Sequence, residues 1–144
     1  MRLGYRHIDT AQVYENEREV GEGLRASGTR RDDVFVTTKI WTTHFAPNDL
    51  ERSVKESLAK LRLAEVDLLL LHWPNPHVPL QETLSALARV KKLGMCRHIG
   101  VSNFTVALIE GADFVLSDKE MRQISLMGNA KVRLTDFGFA PKWD

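Results

Sequence analysis

The sequence lacks several features that mark specialised classes of protein. It contains one cysteine, Cys96, so no disulfide can form within the chain and a reducing compartment is favoured. The apolar run VDLLLL at 66–71 is far shorter than the roughly 20 residues that a membrane-spanning helix needs. The first residues, MRLGYRHID, contain no apolar secretory segment. We therefore expect a cytoplasmic protein without a membrane partner.

A dominant charge is also missing. The 20 basic residues nearly balance the 19 acidic ones, which leaves a net charge of +1. No basic stripe of the kind that binds DNA or RNA is present, so a nucleic-acid partner is not expected. The 144 residues are 43% hydrophobic and 27% charged, a balance typical of one globular domain.

Short apolar runs alternate with longer segments of helical periodicity. β-branched and apolar residues predict four strands, at 5–9, 34–41, 66–73 and 97–104. Helical spacing predicts three helices between them, at 16–28, 47–63 and 79–94. This βαβαβαβ order predicts parallel strands joined by right-handed helical crossovers. Beyond them we expect at most one short helix within 105–115, a helix beginning near Ser117 and an extended aromatic tail.

Each predicted strand ends on a polar residue. Asp9 ends the first strand, Lys39 lies near the end of the second, His72 follows the third and Ser102 with Asn103 follows the fourth. Tyr14 lies in the loop after the first strand. Because chemistry in parallel α/β proteins collects at the carboxyl ends of the strands, these side chains are expected on one rim.

The chemistry of this set is proton transfer to a carbonyl. A phenol is a weak proton donor at neutral pH, and an ammonium group beside it favours the phenolate. Asp9 would hold Lys39, and a neutral imidazole would orient the carbonyl oxygen. None of these groups supplies an electron pair, so a hydride cofactor is required. Each residue alone has a structural explanation, and only their joint placement favours a site.

His72 and His77 lack an evident third ligand, so no metal site is predicted.

Four motifs carry a family resemblance. GYRHIDTAQVYENE, VFVTTKIW, VDLLLLHWP and RHIGVSNF, spread over about residues 3–110, resemble the aldo-keto reductases. The resemblance is strongest to the prokaryotic 2,5-diketo-D-gluconate reductase-like group. That family is a (β/α)8 TIM barrel that reduces aldehydes and ketones with NADPH. The resemblance implies an α/β chain with about four parallel βα units, equivalent to units 2–5, over residues 1–112. The family's C-terminal helix and aromatic tail would follow over 113–144.

The resemblance also implies a role for each candidate residue. Tyr14 would donate the proton, and Lys39 and Asp9 would tune the proton-donating strength of its phenol. His72 would orient the carbonyl. Asp9, Ser102 and Asn103 would border the cofactor, and the last two would hold the nicotinamide carboxamide. Three residues would line the substrate pocket: Trp41, Trp73 and His72.

The sequence departs from the family near residues 109–112. There it passes from the fifth unit directly to the C-terminal segment, as in a truncated or internally deleted member. The aromatic that stacks on the nicotinamide and the cluster that binds the 2′-phosphate have no counterpart, which puts NADPH binding by this chain in doubt. Two functions stay open: reduction of a small carbonyl compound, or a non-catalytic half-barrel. The half-barrel would self-associate through its open sheet edges or pair with a full-length paralogue.

A second motif resembles a different family. VRLTDFGFA at 132–140 is similar to the Asp-Phe-Gly turn of protein kinases. A kinase also needs a glycine-rich loop, a strand lysine and a His-Arg-Asp loop upstream, and none is present in this sequence. We therefore interpret the stretch as part of the reductase-like tail.

Overall fold

A four-stranded parallel sheet organises the chain. The computed structural model describes residues 1–111. The strands are β1 (His7–Asp9), β2 (Phe35–Ile40), β3 (Val66–Leu71) and β4 (Cys96–Val101). They lie in the order β1-β2-β3-β4, and all three neighbouring pairs are parallel. The order of the strands in the sheet follows the chain, which confirms the predicted parallel α/β topology.

Helices join successive strands. They are α1 (Glu17–Ala26), α2 (Pro47–Leu61) and α3 (Leu80–Lys92). Pro47 occupies the first turn of α2, where its missing N–H costs no helical hydrogen bond. Gly28 and Gly94 follow α1 and α3 with φ of +66° and +75°, a conformation that glycine adopts without strain. Both glycines lie where the sequence predicts the helices to end.

The hydrophobic core lies between the sheet and these helices. From the strands it includes Val36, Ile40, Leu69 and Leu71, each 0% exposed. The apolar face predicted for α2 is buried in full, and it consists of Leu50, Val54, Leu58 and Leu61. α2 packs against both α1 and α3. The helical periodicity in the sequence therefore identified the correct core face.

The opposite face of the sheet is less covered. Phe35, at the start of β2, is 37% exposed. Leu68 and Leu70 of β3 point to the same side of the sheet and are half-buried, whereas Leu69 and Leu71 are fully buried. This difference is expected of a barrel segment whose inner face meets few neighbours.

The compact unit that contains the sheet ends at Asn103. A second unit begins at Phe104, and within it α4 (Val106–Gly111) is the short helix predicted from the sequence. The Thr105 hydroxyl accepts a hydrogen bond from the Leu108 N–H at 3.3 Å and so caps the first turn. The predicted later helix, the aromatic tail and the 113–144 domain lie outside the described residues, and the proposed domain boundary stays a prediction. In residues 1–111 no helix is long and apolar enough to cross a membrane.

Candidate functional site

Lys39 is a buried cation at the carboxyl end of β2. The register of the first two strands places Asp9 beside Thr37, so the side chains of Asp9 and Lys39 point to the same side of the sheet. Lys39 is 6% exposed, and its Nζ forms an ion pair with Asp9. The same Nζ donates a hydrogen bond to the carbonyl oxygen of Thr10 at 3.1 Å. These partners are needed because an unpaired buried ammonium is costly.

Tyr14 completes the environment of this cation. It ends the 3₁₀ turn Gln12–Tyr14 that follows β1, and its hydroxyl lies 3.4 Å from Lys39 Nζ. The ammonium also lies 5.0 Å from the centre of the phenol ring. Tyr14 is 48% exposed, whereas Lys39 is buried. The phenol therefore connects the buried cation to solvent, where a substrate would approach.

His72 packs beside the phenol as a neutral imidazole. It follows β3 directly, and its ring lies edge-to-face with those of Tyr14 and Trp41 at centroid distances of 5.6 and 5.5 Å. The pKa of His72 is lowered from 6.5 to about 4; burial is the largest cause, the positive charge of Lys39 adds to it, and Asp9 acts in the opposite direction. At neutral pH the ring is uncharged.

Ser102 and Asn103 adjoin His72 through the backbone. The Ser102 N–H donates to Leu71 O at 2.8 Å, which continues the pairing of β4 with β3. Asn103 has a φ of +60°, and its Nδ2 donates to His72 O at 2.8 Å and to Ser102 Oγ at 3.1 Å. Trp73 follows His72 in the chain and is 6% exposed. The structure thus brings Asp9, Tyr14, Lys39, His72 and Trp41 together and joins Asn103 and Ser102 to the same rim.

A cavity of about 290 Å³ lies next to this cluster rather than on it. Its lining comes from the turns after β1 and β2 and from α2: Gln12, Val13, Glu15, Trp41, His44, Ser53, Glu56 and Lys60. Trp41 is the one predicted site residue among them. The side-chain cluster, with its convergent polar groups, is therefore the better guide to chemistry than the cavity.

Gln12 is a residue that the sequence analysis missed. Its Oε1 accepts a hydrogen bond from the Trp41 N–H at 2.8 Å, and its Nε2 donates to Ser57 Oγ at 3.0 Å. The available signal was its position, two residues before Tyr14 in a loop that follows a strand. Its partners are about 30 to 45 residues away in the chain, so no local pattern reveals them.

Comparison with known proteins identifies the family. The sequence profile of the Aldo/keto reductase family matches residues 1–131. The chain belongs to the aldo/keto reductase family. The resemblance found in the four strand motifs is thereby confirmed.

Curated aldo/keto reductases show how much of such a protein this chain represents. Methylglyoxal reductase DkgB of Yersinia pestis is 46% identical over 123 residues, which cover 84% of this chain and 46% of the relative. Aldo-keto reductase family 1 member A1-A of Danio rerio is 39% identical over 131 residues, which cover 74% of this chain and 40% of the relative. The chain spans about half the length of the curated relatives it matches.

Solved aldo/keto reductase structures give the same proportion. A candidate 2,5-diketo-D-gluconic acid reductase B superimposes with a TM-score of 0.77 at 43% identity, over 87% of this chain and 50% of the other. An aldo-keto reductase complexed with NADPH gives a TM-score of 0.70 at 37% identity, over 76% of this chain and 37% of the other. The four parallel βα units therefore form part of a (β/α)8 barrel, as the sequence predicts.

Proposed function

We propose that this chain carries the proton-donating site of an NADPH-dependent reductase that converts a small aldehyde or ketone to an alcohol. The observation that supports this most directly is the shared position of Lys39 Nζ. It pairs with Asp9, donates to Thr10 O at 3.1 Å and lies 3.4 Å from the Tyr14 hydroxyl. A phenol held against a buried ammonium is suited to protonate an oxygen that becomes an alkoxide.

His72 has the properties of a carbonyl-orienting group. Nδ1 is buried and has no hydrogen-bond partner among residues 1–111. A proton on Nδ1 would be left unpaired at a cost of about 1–3 kcal/mol, so the proton of the neutral ring is better placed on Nε2. An Nε2–H can donate to a carbonyl oxygen, and the ring cannot compete with Tyr14 as a charged acid at neutral pH because its pKa is about 4.

The rim after β4 fits one end of a nicotinamide cofactor. Both hydrogens of the Asn103 amide nitrogen are directed to His72 O and Ser102 Oγ, so Asn103 would offer its Oδ1 to a ligand. An amide oxygen is a suitable acceptor for the NH₂ of a carboxamide. NADPH, when bound, supplies the hydride that adds to the carbonyl carbon. Tyr14 then gives its proton to the carbonyl oxygen and recovers one from solvent.

The substrate class is proposed from the relatives. Four curated relatives that are 45–49% identical to this chain are named methylglyoxal reductases, so methylglyoxal is the first substrate to test. Tyr14 presents a partly exposed phenol beside the His72 ring, which also contacts Trp41, and this arrangement suits a small carbonyl compound.

The deciding experiment compares the chain with Tyr14→Phe. We expect NADPH oxidation that depends on methylglyoxal in the unaltered chain and a loss of about 100-fold or more in kcat in the variant, because general acid catalysis contributes typically 10²–10⁴-fold. NADPH binding, measured by quenching of its fluorescence, should be the same in both. Equal turnover in the two proteins would disprove the assignment of Tyr14.

A second candidate function is a non-catalytic half-barrel. It is favoured by the exposed Phe35 on the less covered face of the sheet. A half-barrel of this kind should give neither NADPH quenching nor thermal stabilisation by NADPH. These two measurements separate the candidates without any substrate.

A further inference from the structure

The carboxamide of Gln12 joins three separate segments of the chain. Nε2 donates to Ser53 O at 3.2 Å and to Ser57 Oγ at 3.0 Å, both on α2. Oε1 accepts from the Trp41 N–H at 2.8 Å and lies 3.3 Å from His44 Nδ1. An amide side chain has two donor hydrogens and two acceptor lone pairs. These contacts use both hydrogens and one lone pair, and the second lone pair is used in the tautomer of His44 that carries its proton on Nδ1. Gln12 is therefore fixed by α2 on one side and by the segment after β2 on the other.

The turn that carries Tyr14 is short and partly exposed. Gln12–Tyr14 is a three-residue 3₁₀ turn, and none of its residues is buried. Its internal hydrogen bonds are Tyr14 N–H to Ala11 O at 3.0 Å and Glu15 N–H to Gln12 O at 3.1 Å. Turns this short are not stable alone. Besides the contacts of the Tyr14 side chain with Lys39 and His72, the Gln12 side chain provides the hydrogen bonds that tie this turn to α2 and to the segment after β2.

The same side chain reaches both sides of the cluster. Tyr14 follows Gln12 by two residues, and the backbone of Trp41 donates directly to the Gln12 oxygen. His72 contacts the rings of both Tyr14 and Trp41. A shift of the Gln12 side chain would therefore disturb the positions of both Tyr14 and Trp41, the two residues whose rings contact His72.

We propose that Gln12 is a positioning residue that holds the Tyr14 hydroxyl beside Lys39 and the Trp41 ring beside His72. It acts through hydrogen bonds to α2 and touches no reacting atom. Its importance for catalysis depends on the proposed function, in which Tyr14 is the proton donor. Its effect on the position of Tyr14 can be measured without turnover.

The test uses Gln12→Met, which keeps the length of the side chain and removes its hydrogen bonds. The chain has two tyrosines, so the substitution Tyr5→Phe leaves Tyr14 as the single phenol in a nuclear magnetic resonance spectrum. The Tyr14 and His72 rings, 5.6 Å apart, should show a nuclear Overhauser effect in this background. We expect Gln12→Met to abolish that effect, and we expect kcat for methylglyoxal to fall by about 10–100-fold, since a displacement of about 1 Å can cost that much.

Two further variants keep the result interpretable. Val13→Ala changes an exposed residue of the same turn and should alter neither the ring contact nor kcat. Ser57→Ala removes one partner of Gln12 from α2 without altering the turn, so it should weaken the ring contact even if Gln12→Met does not fold.

The outcomes distinguish this proposal from the proposed function. A retained ring contact in both Gln12→Met and Ser57→Ala would overturn the positioning role, whatever the activity of the chain. A lost ring contact in a chain that shows no turnover before mutation would support the positioning of Tyr14 and overturn the proposed function. A lost contact together with reduced kcat would support both.

Discussion

His72 is the site residue whose charge state is set most clearly by its surroundings. Burial is the largest cause of its lowered pKa, and the charge of Lys39 adds to it. The cost of charging this ring is absent from the unfolded chain, where the imidazole is in water. The site that favours a neutral imidazole therefore also makes the folded protein sensitive to acid.

We predict that the free energy of unfolding falls as the pH is lowered from about 7 to about 4, in part through His72. The folded-state pKa of about 4 lies below the unfolded value of 6.5, so the unfolded state binds the proton first and stability is lost as pH falls through this window. The two values correspond to roughly 3 kcal/mol at the acid end. Urea unfolding at several pH values measures the loss, and His72→Gln should reduce the slope. Parallel curves for the two proteins would contradict the prediction.

The predictability of the site differs from residue to residue. Asp9, Lys39 and His72 could be nominated because strand ends are visible in the sequence and parallel strands bring their carboxyl ends to one edge. The pairing of Lys39 with Thr10 O and the anchoring by Gln12 depend on distances between distant segments. Such distances have no periodic signature, so the sequence could not reveal them.

At the scale of elements, α1 and α2 approach each other through a glycine. A Cβ built on Gly21 would lie 2.3 Å from the carbonyl oxygen of Leu61. That oxygen belongs to the backbone at the end of α2, so it cannot move aside as a side chain would. Gly21 therefore sets the distance between the two helices. Gly23, in the same helix, has open space at the corresponding position.

The pair Gly21→Ala and Gly23→Ala should have opposite effects on stability. We expect Gly21→Ala to destabilise the fold by about 1–3 kcal/mol, because the added methyl forces the helices apart. Gly23→Ala should stabilise it by up to about 1 kcal/mol, because alanine is the better helix former. Thermal or urea unfolding of both variants provides the measurement. Equal effects would show that helix propensity alone governs these positions.

Elements also differ in how far the sequence predicts them. The spacing of apolar residues in 47–63 gave both α2 and its buried face, since one period defines helix and orientation together. Asp67 lies within the apolar run that predicts β3, yet it pairs with Arg31 at 2.7 Å and with Arg97 at 3.2 Å. The sequence pattern identified the strand, but it could not show that this buried carboxylate is matched by cations from two other segments.

At the scale of the whole molecule, the sheet ends in two edge strands. In the part of the chain that the structure describes, β1 and β4 each pair with one neighbour. Longer family members have further barrel strands, and this chain covers about half their length. Unpaired backbone groups at a sheet edge and exposed apolar side chains favour association with another chain.

We predict that the chain self-associates through its edge strands and through the exposed apolar side chains on the less covered face of the sheet. Sedimentation equilibrium should give an average mass above 16.4 kDa that rises with concentration. Phe35→Lys should lower it, because a charge would replace an exposed aromatic on that face. Leu93→Lys is the control, since Leu93 is 55% exposed but follows α3 instead of lying on the sheet. A monomer at every concentration would contradict the prediction.

The matching order of strands in sheet and chain has a consequence for inheritance. Because each strand lies beside its predecessor, one continuous stretch of the chain, residues 9–72, contains Asp9, Tyr14, Lys39 and His72. A single recombination event can transplant that stretch into another coding sequence with the mutual arrangement of its side chains intact. Evolution can thus copy, shorten or splice this group of side chains as a unit.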